Sequence, residues 1–114
     1  MVTPGPASVV VVAFPFTDLS GAKLRPAVVL AGAGRDDWIL CQITSNPHSD
    51  SNAVRLTDES FSQGSLHAVS FARPTKLFTA HASLMNVRVA ILKNKVFREI
   101  LSATIDALQK SMPG

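Results

Sequence analysis

Seven residues from Ser8 to Phe14 read SVVVVAF, and the run stops dead at Pro15. Four consecutive valines favour a strand over a helix, because branching at Cβ restricts χ1 and suits a pleated surface. Proline has no N–H to donate to a ladder, so the strand ends there. The unbroken apolar character of the run predicts burial on both faces. A polar stretch follows, Thr17-Asp18-Leu19-Ser20-Gly21-Ala22-Lys23, with the Asp, Ser and Gly chemistry of a turn. Arg25-Pro26 then opens a second apolar run, Ala27-Val28-Val29-Leu30. The chain therefore starts as two strands joined by a polar loop, with a cation held beside a proline at the loop's far end. Such a segment is suited to holding a guanidinium against an anionic ligand.

A length of 114 residues fits one domain, and 46% hydrophobic residues are enough to fill its core. Residues 1–6, with Pro4, Gly5 and Pro6, read as a flexible lead-in, and 7–112 as a single domain. A formal charge of +3 is a mild basic excess, compatible with nucleic acid but weak by itself. Cys41 is the only cysteine, so no internal disulfide can form and a reducing cytoplasm is the expected setting. Within Trp38-Ile39-Leu40-Cys41-Gln42-Ile43 it reads as a buried structural thiol. No basic leader precedes the first apolar run, which is about half the length a membrane span needs.

Further strands are expected at Pro26–Ala31, with a turn at Gly32-Ala33-Gly34, and at Trp38–Thr44, stopped by Ser45-Asn46-Pro47. A short strand at Ala53–Leu56, a segment Phe61–Leu66 turning at Gly64, a fifth strand at His67–Ala72 and a last one at Val87–Leu92 follow. Ala82–Met85 reads as a single helical turn. From Lys93 to Lys110, Val96, Phe97, Ile100, Leu101, Ile105 and Leu108 recur at helical spacing and form one apolar stripe. Short strands followed by one amphipathic helix predict a mainly β domain, a small closed or half-closed barrel covered by its terminal helix.

The segment Phe14–Leu30, FPFTDLSGAKLRPAVVL, resembles the start of the PemK/MazF toxin family, which often reads F-P-F-T-D-L-S-G-x-K-x-R-P-A there. The likeness continues through Gly64-Ser65-Leu66, Ser70-Phe71-Ala72-Arg73 and Lys76-Leu77-Phe78-Thr79, and it covers about Ser8 to Leu108. It implies an SH3-like β-barrel of the PemK/MazF/CcdB kind with a C-terminal helix. It also implies a homodimeric, metal-independent endoribonuclease of the cytoplasm that cuts single-stranded mRNA, leaving a 2′,3′-cyclic phosphate and a 5′-hydroxyl. The implied partners are a second copy and an antitoxin with an acidic C-terminal segment. No cofactor and no membrane are implied.

Cleavage by the RNA's own 2′-hydroxyl needs a base for that proton, a group to stabilise phosphorane charge, and an acid for the leaving oxygen. Arginine suits the middle task because its planar fork grips two phosphate oxygens. Spacing alone leaves Arg25 equally suited to an ion pair with Asp18, and favours Thr44 as a turn former before Asn46-Pro47 over a functional role. The resemblance makes the matching Arg25 and Thr44 catalytic: Arg25 stabilises charge and is a source of the final proton, and Thr44 holds the phosphate. Phe16, Asp18, Lys23, Ser45, His48, Arg73 and Lys76 are expected to bind substrate, with a structural salt bridge the competing role for Arg73. Asp18 and His48 are the nearest candidates for the base. His67 and His81 read as strand or turn residues, and no histidine has metal-ligand spacing with Cys or Asp.

Two departures from the family pattern matter. Arg73-Pro74-Thr75 stands where R-x-D is common, so that carboxylate is missing as a base, and Ala7-Ser8 replaces the usual G-D or G-E. They keep open an alternative of another class, a non-catalytic binder on the same barrel, including a CcdB-like gyrase inhibitor.

Overall fold

A computed structural model describes residues 4–14 and 23–114, without the side chains of Phe14 and Lys23. Seven strands run in the order β1 (Ser8–Phe14), β2 (Lys23–Gly34), β3 (Asp37–Thr44), β4 (Val54–Leu56), β5 (Phe61–Gly64), β6 (Ser70–His81) and β7 (Met85–Leu92). One helix, α1 (Asn94–Gln109), closes the chain. All pairings are antiparallel, in the sheet order β4-β6-β3-β2-β1-β7-β5. The sheet curls into a half-barrel with α1 packed on it.

The valine run behaves as its composition predicts. Val9, Val10 and Val12 are all fully buried, and they divide between the two faces of the sheet. Val9 joins Val28, Cys41, Ile43, Leu56, Leu92 and Ile100 under α1. Val10 and Val12 join Ala27, Val29, Leu40, Phe78, Ala80 and Met85 on the opposite face. Burial on both faces explains why no polar residue alternates with these valines.

Three sequence expectations are corrected. The turn expected at Gly32–Gly34 lies at Arg35-Asp36, both in the left-handed region (φ 53° and 63°), with Gly34 opposite Asp37. Two such residues make the type I′ turn whose twist matches a hairpin, and shifts in the β2–β3 register absorb the glycines within the strand. The strand expected at His67–Ala72 starts at Ser70 and runs through Pro74 to His81. Proline is tolerated because the β3–β6 ladder opens there: Cys41 pairs with Leu77 and Ile43 with Ala72. Finally, the apolar stripe of α1 is buried only in part. Ile100 is fully buried and Val96, Phe97 and Leu101 pack on the core, but Ile105 and Leu108 are exposed and Thr104 takes the inner position. The Thr104 hydroxyl donates to the Pro74 carbonyl (2.9 Å), with the Ile100 carbonyl at 3.1 Å, which ties the helix to the open part of β6.

Candidate active site

Arg25 is the third residue of β2, opposite Val12 of β1. The side chain is half-buried, and its Nε is buried with no hydrogen-bond partner among the described residues. An unsatisfied buried N–H costs about 1–3 kcal/mol, which an arriving acceptor recovers. The geometry of the hairpin brings β3 alongside. Ala27 pairs with Gln42, and successive residues alternate between faces, so Arg25, Ala27, Gln42 and Thr44 share one face. Carrying the register two residues further sets Arg25 across from Thr44, where β2 begins and β3 ends.

The Thr44 hydroxyl donates to the Asn46 carbonyl (3.1 Å) and accepts from the Asn46 N–H (3.2 Å). It therefore forms the turn that its sequence context suggests, at the same sheet end as Arg25. The Asn46 carboxamide oxygen accepts the His48 N–H (3.0 Å) and holds His48 in the left-handed region at φ 50°. Ser45 and His48 are exposed along this loop.

Arg73 Nε donates to Asp50 Oδ2 at 2.8 Å, and the Asp50 side chain is only 7% exposed. The Arg73 hydrogen bond is the main reason why the Asp50 carboxyl lies below its usual range; burial opposes it. The salt-bridge role considered for Arg73 is thus present, and its acid comes from the β3–β4 connection rather than from position 75. Thr75 and Lys76 are exposed. Together with Arg73 and Pro74 they span the opening of the ladder opposite Gln42. The topology therefore gathers Arg25, Thr44, Ser45, His48, Arg73 and Lys76 at one end of strands β2, β3 and β6. Phe16 and Asp18 lie outside the described residues, as does the side chain of Lys23.

Two residues at this end were not singled out from sequence. Gln42 is buried, and its Oε1 has no hydrogen-bond partner among the described residues. Its one signal was an amide inside an otherwise apolar strand. Asp50 had none, since its contact with Arg73 spans 23 positions. Cys41 is the inert thiol expected: burial pushes it up to about 12, against weaker backbone hydrogen bonds at Val28 and Arg73. A cavity of about 640 Å³ lies elsewhere, between the 51–54 segment and α1, and is lined by Asn52, Glu99, Asp106 and Lys110. No group of three His, Cys, Asp or Glu among the described residues is placed to hold a metal, and none of the described helices is long and apolar enough to cross a membrane.

Solved structures of the same architecture decide the fold. MazF from Deinococcus radiodurans superposes with a TM-score of 0.74 at 18% identity, over 96% of this chain and 99% of that one. The chain has the MazF fold. A mycobacterial endoribonuclease in complex with its cognate antitoxin matches with a TM-score of 0.72 at 13% identity, over 97% of this chain and 100% of that one. The Mycobacterium tuberculosis toxin MazF-mt6 gives 0.69 at 13% identity, over 90% and 96%. No family model and no curated protein matches the sequence. The resemblance carried by Phe14–Leu30 and the later motifs is borne out in the fold, with MazF barrels matching over nearly the whole chain.

Proposed function

We propose that this chain is the toxin of a toxin–antitoxin pair and a metal-independent endoribonuclease that cuts single-stranded RNA. One observation carries the reading: the buried Arg25 Nε, unpartnered among the described residues, on a sheet face shared with Gln42 and Thr44. A phosphodiester oxygen is an acceptor suited to that N–H, and a charged acceptor makes the stronger bond. In the reaction the 2′-oxygen bonds to phosphorus as the P–O5′ bond breaks. The 2′-proton leaves to a base, for which Asp18 and His48 are the candidates. Arg25 stabilises the extra charge on the phosphorane, and the 5′-alkoxide is basic enough to take a proton from the guanidinium. Thr44 holds the phosphate once its hydroxyl exchanges the Asn46 carbonyl for a phosphate oxygen. Ser45, His48, Arg73 and Lys76, with Phe16, Asp18 and Lys23, bind the strand. The products are a 2′,3′-cyclic phosphate and a 5′-hydroxyl.

A homodimer and an antitoxin with an acidic segment complete the proposal; solved structures of this fold include a toxin bound to its antitoxin. End-labelled RNA incubated with the protein in EDTA tests the activity. Site-specific cuts with cyclic-phosphate ends are expected. Intact RNA at every pH and salt concentration would reject cleavage and leave a binding barrel, for which inhibition of DNA supercoiling is the next assay.

A further inference from the structure

The Gln42 amide oxygen accepts no hydrogen bond that would hold the fold together among the described residues. Its residue is only 9% exposed, and Oε1 is buried with no hydrogen-bond partner among the described residues. On its face the apolar neighbours are Ala27, directly across on β2, and Leu40, two residues back on β3; Thr44, two residues forward, is engaged with Asn46. On the β6 side the ladder is open, because Arg73–Lys76 bulge past it. A leucine would extend the apolar cluster of Val29, Leu40 and Phe78 and leave nothing unsatisfied. Folding therefore does not require the amide, and a buried acceptor without a donor weakens the fold.

Arg25 is the diagonal neighbour of Gln42, two residues from Ala27 on the adjacent strand. Diagonal positions in a sheet are about 7–8 Å apart at Cα, within reach of two long side chains. An unpartnered buried donor, Arg25 Nε, thus stands beside an unpartnered buried acceptor, Gln42 Oε1. A ligand satisfies both when it offers an acceptor and a donor close together. In RNA the donor nearest a 3′-phosphate is the 2′-hydroxyl of the same sugar, and DNA lacks it.

We infer that Gln42 recognises ribose: its Oε1 accepts the 2′-hydroxyl of the nucleotide whose 3′-phosphate lies on Arg25. This inference rests on the nuclease reading and deepens it. The amide is far too weak a base to take the proton. It fixes the 2′-oxygen beside phosphorus and restricts the site to RNA, and the proton leaves to a separate base.

The test uses product-like oligonucleotides that cannot be cut: the terminal 3′-phosphate has no leaving group, and every internal sugar is 2′-deoxyribose. Two such oligonucleotides of identical mixed sequence end in a 3′-phosphate, one on a terminal ribose and one on a terminal 2′-deoxyribose. The wild-type protein is expected to bind the ribose end about five- to tenfold more tightly, the worth of one hydrogen bond. Gln42→Leu and Gln42→Met are expected to bring that ratio to one, leave affinity for the deoxyribose end unchanged, and raise the unfolding midpoint. A ratio that survives in both variants would overturn the assignment, as would equal weakening of both ends. Wild-type protein that cuts RNA yet binds both ends alike would reject Gln42 alone and leave the nuclease standing. Failure to bind either end would reject both.

Discussion

Arg25 and Arg73 are both cations near the end of a strand, and their surroundings separate them. Arg73 is tied to Asp50, whereas Arg25 Nε is buried with no partner among the described residues. If Arg25 stabilises phosphorane charge, Arg25→Ala should lose about 3–4 kcal/mol of transition-state stabilisation, or about two to three decades in cleavage rate. Arg25→Lys should recover little, because an ammonium cannot reproduce the planar fork. Near-normal cleavage by the folded alanine variant would remove Arg25 from the mechanism. For Asp50 the measurement is stability against pH. Its carboxyl is held below the usual value by Arg73, so its contribution is fully present above about pH 4, the ordinary range of an aspartate. The contribution is lost as pH falls through the lower folded value. Asp50→Asn should therefore be less stable than wild type at neutral pH, and the difference should shrink on acidification. A constant difference down to pH 2 would mean that the Arg73 pair is not its source.

At the scale of elements, the β6 opening and α1 depend on each other. Pro74 removes a donor from the strand, the ladder to β3 parts at Gln42, and the freed Pro74 carbonyl is taken by Thr104 from the helix. Thr104→Val keeps the shape and leaves that buried carbonyl unpaired, so it should cost about 1–2 kcal/mol in chemical denaturation. An unchanged midpoint would show that the helix is held by its apolar contacts alone. The same variant should also slow RNA cleavage, since Arg73 and Lys76 flank the anchored residue. The hairpin between β2 and β3 is the second element that positions the site. Its two-residue turn sets the register, and the register sets Gln42 opposite Ala27. A slip of one residue would turn Gln42 and Thr44 to the face that Cys41 and Ile43 occupy.

At the scale of the whole molecule, the half-barrel leaves apolar surface at the end of α1. Ile105, Leu108 and Met112 are 49%, 65% and 70% exposed, and a cavity of about 240 Å³ lined by Pro74, Leu77, Thr104 and Leu108 lies beside them. Exposed apolar groups gathered in this way favour association. A homodimer with RNA crossing between the copies is expected. Sedimentation at micromolar concentration should report a dimer, and Leu108→Glu should shift it toward monomer if this surface takes part. A wild-type monomer that still cleaves RNA would contradict the arrangement.

What the chain determined by itself was local: valines that make a strand, and helical spacing from Val96 to Leu101. These follow from backbone and side-chain preferences within a few residues. The apparent turn at Gly32–Gly34 misled because glycine is equally at home in a bulge, and only pairing with β3 moved the reversal to Arg35-Asp36. The full α1 stripe was visible as a pattern, but which part of it meets the core depended on where β6 ran. The candidate site was legible for Arg25 and Thr44 through motifs, and illegible for Asp50 and Gln42. Asp50 reaches Arg73 across 23 positions, and Gln42 Oε1 is left without a donor among the described residues only once Ala27 lies across from it and the β6 ladder opens beside it. Burial and hydrogen bonding are properties of surroundings assembled from distant segments, so tertiary structure alone decided them.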